Sequence, residues 1–159
     1  MEFNTSECVE HAIELALRVH RGQTDTSGAP YILHPLRVGL RARNDTELIA
    51  GILHDVVEKS GHGETEAVTL GDLRAKGFPE DAVVIVDHLS KRIIDGEEEP
   101  WETYIARVME SDAAMRLKLL DLEQNMDTTR ISRFSPHDTE RFARYVWAWH
   151  RIREKLGLE

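Results

Sequence analysis

Apolar residues recur at helical spacing along almost the whole chain, and this pattern restricts the fold more than any other feature. Val9, Ala12, Ile13, Ala16, Leu17 and His20 share one face of a first helix, with Asn4 and Glu7 placed to form a capping box. His34-Pro35 opens a short helix through Arg43, because the fixed φ of proline suits a first helical turn. Asp45 or Thr46 can cap a third helix over 46–59, which buries Leu48, Ile49, Ile52, Leu53 and Val56 and sets Ala50, His54 and Glu58 in a separate column. Further helices are predicted over 69–76, from Pro79 through Ser90, over 101–110 and over 112–126. A long last helix aligns Phe142, Tyr145, Val146, Trp149, Ile152 and Leu156, a stripe read as core packing. The run Val83-Val84-Ile85-Val86 fits a strand as well as a helix, and it is read as helix because no partner strand is visible. An all-α fold follows.

The connections are legible by composition. Residues 21–31 and 60–68 are rich in glycine and small polar residues, and a further loop is placed around Ser132 to Pro136. Residues 91–100 carry Asp95-Gly96-Glu97-Glu98-Glu99-Pro100, which reads as a solvated acidic loop. With 159 residues, no internal repeat and no low-complexity linker, residues 1–159 are expected to form one domain.

Charge and cysteine content remove several function classes. A net charge of −9 argues against a general nucleic-acid surface, which needs a basic stripe to displace counterions. A small anion in a locally positive pocket stays compatible. No apolar run approaches the roughly 18 residues of a membrane span, so no membrane partner is expected, and a cytoplasmic location is. Cys8 is alone, so any metal must be held by nitrogen and oxygen.

His54-Asp55, adjacent within a helix, can reach one ion lying between their directions. His34 and Asp121 are the best further donors. Taken alone, His34 is more readily a helix-terminal histidine that bonds backbone. Asp121 interrupts the apolar run Leu117-Lys118-Leu119-Leu120-Asp121-Leu122, with Lys118 and Asn125 on the same face, a pattern that a simple Lys–Asp ion pair also satisfies. Two imidazoles with two carboxylates suit one divalent transition-metal ion better than calcium or magnesium, which prefer all-oxygen shells.

The chain resembles the hydrolase domain of the RelA/SpoT enzymes, and among them the stand-alone small alarmone hydrolases. The resemblance rests on His20-Arg21-Gly22-Gln23 with Gly28-Ala29-Pro30-Tyr31-Ile32-Leu33-His34-Pro35, on Leu53-His54-Asp55-Val56-Val57-Glu58, on Val86-Asp87-His88-Leu89-Ser90-Lys91, and on Lys118-Leu119-Leu120-Asp121 with Asn125-Met126. It implies the HD-superfamily helical fold and His34, His54, Asp55 and Asp121 as ligands of one divalent ion, Mn²⁺. It further implies removal of the 3′-pyrophosphate of ppGpp or pppGpp, a small anionic nucleotide, to leave GDP or GTP. Glu58 would then orient the attacking water or take its proton. Arg21, Lys118, Asn125 and Thr128 would meet substrate, Ser90 and Lys91 would border it, and Arg37 or Arg41 could reach its distal phosphates.

The chain departs from the family pattern at three places. Lys59 stands beside Glu58 where the family has aspartate, so it is a candidate catalytic residue, a phosphate contact or a surface lysine at a helix end. Asp25 and Thr26 replace an Arg-Lys pair, and Asp127 replaces a frequent arginine. All remove positive charge or reverse it, which leaves two further readings: an HD phosphohydrolase for another nucleotide or phosphate ester, and a metal-stabilised binding module. Trp147, off the stripe of the last helix, is a candidate contact in a homo-oligomer, though a lone exposed aromatic is ordinary.

Overall fold

The computed structural model describes residues 5–62, 65–130 and 134–158. In chain order these form α1 (Thr5–Val19), α2 (Leu33–Gly39), α3 (Asp45–Leu53), α4 (Val56–Lys59), α5 (Leu70–Ala75), α6 (Glu80–Leu89), β1 (Ile93–Ile94), β2 (Glu97–Glu98), α7 (Trp101–Val108), α8 (Asp112–Asn125), a 3₁₀ turn (Thr128–Arg130) and α9 (Pro136–Lys155). Among the described residues no helix is long and apolar enough to cross a membrane. Asn4 and residues 63, 64, 132 and 133, on which the predicted capping box and two predicted loops partly rest, lie outside the described residues.

Helix α3 lies at the centre and packs against α1, α2, α6 and α8. Its Ile49, Ile52 and Leu53 join Val38 of α2, Leu117 and Leu122 of α8 and Ile152 of α9 in one buried apolar cluster. Two glycines let α2 approach α3 closely. A Cβ on Gly51 would stand 2.8 Å from Gly39 Cα, and one on Gly39 would stand 2.8 Å from Ile52 Cγ1 and 3.0 Å from the Leu48 carbonyl oxygen. His34, in the first turn of α2, is thereby brought beside His54, just past the end of α3, with ring centroids 5.3 Å apart.

Several sequence expectations change. The helix expected over 46–59 is two helices, interrupted at His54 and Asp55, where Asp55 adopts φ −100° and ψ −3°. The third helix is capped by Asn44, not by Asp45 or Thr46: Asn44 Oδ1 accepts from the Glu47 backbone N–H at 2.9 Å. Residues 91–100 are not simply a solvated loop, because Ile93 pairs with Glu98 and Ile94 with Glu97 across a turn of Asp95 (φ 53°) and Gly96 (φ 86°). Glu99, closing that hairpin, is buried in an ion pair with Arg107. The Val83–Val86 run is helical within α6. On α9 the buried line runs through Ala148 and Ile152, while Val146 of the expected stripe faces solvent.

Candidate metal centre

Four side chains from three stretches of the chain converge beneath a cleft: His34 from α2, His54 and Asp55 from the break after α3, and Asp121 from α8. All four are buried. His34 Nε2 lies 3.1 Å from Asp121 Oδ1 and 3.7 Å from Asp55 Oδ2; His54 Nε2 lies 3.4 Å from Asp55 Oδ2 and 3.8 Å from Asp121 Oδ1. One ligand atom from each of His34, His54 and Asp121 falls within 4.8 Å of the others. These are two nitrogens and one oxygen, and Asp55 Oδ2 lies beside the two imidazoles outside that mutual set.

The helix break explains how neighbouring residues can share that cluster. His54 Nδ1 is tied to the Gly51 carbonyl at 2.7 Å, so Nδ1 is the donor in that bond and Nε2 is the nitrogen that faces the cluster. Nε2 is buried and has no hydrogen-bond partner among the described residues. An orphaned buried imidazole nitrogen facing two carboxylates is costly without a ligand, and a divalent cation would satisfy it.

The electrostatics have the same sense. Burial opposes charge on His54, but Asp55 and Asp121 outweigh it and raise its pKa to about 9, so the carboxylates demand a positive charge at this point. Burial would raise Asp121, yet the Lys118 ammonium and the two imidazoles hold it well below the usual carboxylate range. Asp55 is likewise held low against burial, by His54, Lys59 and His34.

A supporting layer orients these carboxylates. Lys118 Nζ donates to Asp121 Oδ2 at 2.7 Å and Asn125 Nδ2 to Asp121 Oδ1 at 2.7 Å. The Tyr31 hydroxyl donates to Asp55 Oδ2. Lys118 is itself buried, and although burial would lower its pKa, Asp121 raises it above that of a free lysine. Its ammonium also lies 5.0 Å from the Tyr104 ring centroid and 5.5 Å from that of Trp101.

The cleft above the cluster collects only part of the sequence-predicted set. Glu58, Lys59, Lys91, Lys118 and Asn125 line it. Glu58 Oε1 accepts from the Lys91 backbone N–H, and burial raises the Glu58 pKa despite that bond. Lys59 makes no ion pair with Glu58 among the described residues; its Nζ stands 5.0 Å from the centroid of the Tyr31 ring, at the cleft wall. Ser90 is buried, with its hydroxyl donating to the Val86 carbonyl at 2.8 Å, and is not part of the lining. Arg21 lines a separate cavity beside Arg18 and Lys76. Arg37 and Thr128 are exposed and do not line the cleft, and Arg41 pairs with Glu123 at 2.9 Å.

Asp25 and Asp127 both reach the cleft wall, and each also serves its own loop. Asp25 Oδ1 accepts from the backbone N–H groups of Ser27 and Ala29, and Asp127 Oδ1 accepts from that of Thr129. Tyr31, Trp101, Tyr104, Gln124, Arg141 and Tyr145 also line the cleft, and sequence reasoning singles out none of them for the site. By spacing Tyr145 belongs to the core stripe of α9; its separation of four from Arg141 is the one local signal that both share a face.

No family model matches the chain. Among curated proteins, it is 34% identical over 139 residues to a GTP pyrophosphokinase of Streptomyces coelicolor, covering 82% of this chain and 16% of that protein. It is 31% identical, over an alignment of 177 residues, to a guanosine-3′,5′-bis(diphosphate) 3′-pyrophosphohydrolase of Vibrio cholerae, covering 96% of this chain and 24% of that one. A protein of the same name from Borreliella burgdorferi is 37% identical over 84 residues, 50% of this chain and 12% of the relative. The chain thus spans between 12% and 24% of the length of these relatives. A solved structure, described as a metazoan ortholog of SpoT that hydrolyses ppGpp and plays a role in starvation responses, shares the fold with a TM-score of 0.68 over 100% of both chains, at 19% identity.

Proposed function

Because the chain belongs to the RelA/SpoT family, we propose that it is a metal-dependent phosphohydrolase that removes the 3′-pyrophosphate of ppGpp or pppGpp. The observation carrying this reading is the buried His34, His54, Asp55 and Asp121 cluster, whose His54 Nε2 has no hydrogen-bond partner among the described residues. A divalent ion bound there, Mn²⁺ in this proposal, would acidify a water and offset phosphate charge. Mixed imidazole and carboxylate donors suit such an ion.

The chain's own residues then supply the rest of the reaction. Glu58 Oε1 is engaged by the Lys91 N–H, leaving Oε2 to take the proton of the attacking water. Its raised pKa brings it nearer to neutrality, where a base transfers protons more effectively. The water oxygen adds to the phosphorus on the ribose 3′ oxygen, that P–O bond breaks, and the 3′ oxygen leaves as a hydroxyl once protonated. Pyrophosphate and GDP or GTP are the products. Lys59, Lys91 and Lys118 line the cleft and bring positive charge to an otherwise acidic protein. Lys118 and Asn125 keep Asp121 from rotating.

Asp25 and Asp127 at the cleft wall favour one second reading, a nucleotide with fewer phosphates. Purified protein is assayed for pyrophosphate release from ppGpp with Mn²⁺ added and with metal chelated, beside His54→Ala and Glu58→Gln. Metal-dependent release, abolished in His54→Ala and reduced about 10²- to 10⁴-fold in Glu58→Gln, is expected. No release from ppGpp, with hydrolysis of a less charged nucleotide, selects the second reading.

A further inference from the structure

The peptide group between Ser90 and Lys91 is held at both ends. Its N–H donates to Glu58 Oε1, and its carbonyl accepts from Arg107 Nη2 at 2.7 Å. Arg107, projecting from α7, also donates through Nη1 to the Asp87 carbonyl at 3.1 Å. Its remaining donors meet Glu99: Nε lies 3.2 Å from Oε2, and Nη2 bonds Oε1. Glu99 Oε1 in turn accepts from the Arg92 backbone N–H at 2.8 Å. One guanidinium and one carboxylate therefore fix the chain on either side of Lys91, where α6 gives way to the hairpin.

A helix end needs partners for its last carbonyls, and ordinarily a glycine turn or water supplies them. At α6 side chains add to the one backbone bond from the Ser90 N–H to the Asp87 carbonyl: the Tyr104 hydroxyl donates to the Leu89 carbonyl at 2.7 Å, the Ser90 hydroxyl to Val86, and the half-buried Arg107 to Asp87. Glu99 is 4% exposed. A buried ion pair gains little net stability over well-packed apolar residues, so its defensible use is to select one geometry. The geometry selected is the direction of the Lys91 N–H.

We infer that Arg107 and Glu99 form a positioning pair for Glu58, fixing the Ser90–Lys91 peptide so that its N–H holds Oε1 and turns Oε2 toward the cluster. The inference rests on Glu58 acting as the base. It assigns catalytic importance to two residues that do not touch substrate, and it gives Glu99, within the acidic run 95–99, a role different from its exposed neighbours Glu97 and Glu98.

The test joins a double-mutant cycle to a measurement that needs no turnover. In metal-loaded protein, Arg107→Ala is expected to lower kcat for ppGpp about tenfold with KM nearly unchanged, and Arg107→Lys to restore part of it. In a Glu58→Gln background, Arg107→Ala should have little further effect, since the group being positioned is no longer a base. The Lys91 amide proton, bonded to a carboxylate, should move upfield in NMR spectra and exchange faster in Arg107→Ala and in Glu99→Gln. An unchanged Lys91 amide overturns the inference, and so does an equal loss of kcat whether position 58 carries the native glutamate or the Glu58→Gln substitution. Full activity of Glu58→Gln alone overturns the base reading instead, and the amide signal then still decides whether the clamp exists.

Discussion

The floor of the cleft is made by side chains rooted in packed helices, whereas its rim is made by side chains on turns and helix ends. His34, His54, Asp55 and Asp121 are all buried and hang from α2, the α3–α4 break and α8, elements that meet at the Gly39–Gly51 contact and around Leu117. Asp25, Lys59, Lys91 and Asp127 sit at an Asx-type turn, a helix end, the start of a hairpin and a 3₁₀ turn. The floor cannot change without disturbing the core, while the rim can change residue by residue. This separation accounts for a chain that keeps the whole ligand set implied by its family resemblance while reversing charge at Lys59, Asp25 and Asp127.

Removing a proposed ligand should break the floor outright. Asp121→Ala leaves Lys118 buried without its carboxylate, and Mn²⁺ affinity measured by calorimetry should fall more than about 100-fold, the upper end of what a merely supporting residue costs. Unchanged affinity would place the metal elsewhere. A backbone change should weaken the floor without touching a ligand: Gly51→Ala pushes a methyl against Gly39 Cα and is expected to cost about 1–3 kcal/mol in denaturant unfolding, with weaker metal binding. Equal stability would mean that α2 and α3 are less tightly apposed than the glycines imply.

The rim should respond more mildly. Lys59→Ala is expected to raise KM roughly tenfold, the size of one charged hydrogen bond, while leaving kcat and metal affinity intact. A collapse of kcat would move Lys59 from rim to catalysis. The hairpin adds a pH dependence. Burial would raise Glu99, but Arg107 and the Arg92 N–H hold it below its ordinary value, so its stabilisation is complete above the unfolded glutamate pKa near about 4.3 and is lost as pH falls through the folded one. Amide protection around Lys91 and Arg92 should therefore fall on acidification, and in Glu99→Gln that fall should be absent. The smallest effect belongs to the exposed Arg74–Glu80 pair, where Arg74→Ala should leave the denaturant midpoint nearly unchanged.

Much of the floor was legible because polar residues intruding on apolar helical runs are conspicuous. Asp121 within Leu117–Leu122 is the clearest case, and its partners Lys118 and Asn125 were visible by helical spacing. The break at His54 and Asp55 was not, since nothing in Ile52-Leu53-His54-Asp55-Val56 resembles a helix stop; the turn is set by tertiary contacts such as Tyr31 on Asp55. Asp95-Gly96 is a hairpin signal that the acidic run around it obscured. Glu99 and Arg107 pair across α7's first two turns at a spacing of eight, with a proline between, and no local rule links them. Substrate-facing residues are hardest to read in sequence, because Arg141 and Tyr145 reach the cleft only through the packing of α9 on α8.

A crystal grown with Mn²⁺ and measured at the manganese absorption edge tests the central claim most directly. The account predicts one strong anomalous peak within bonding distance of His34 Nε2, His54 Nε2, an Asp55 oxygen and an Asp121 oxygen, with the peak lost in His54→Ala. A fully loaded protein with its peak at any other place, or with His54 Nε2 turned away from it, would contradict the account.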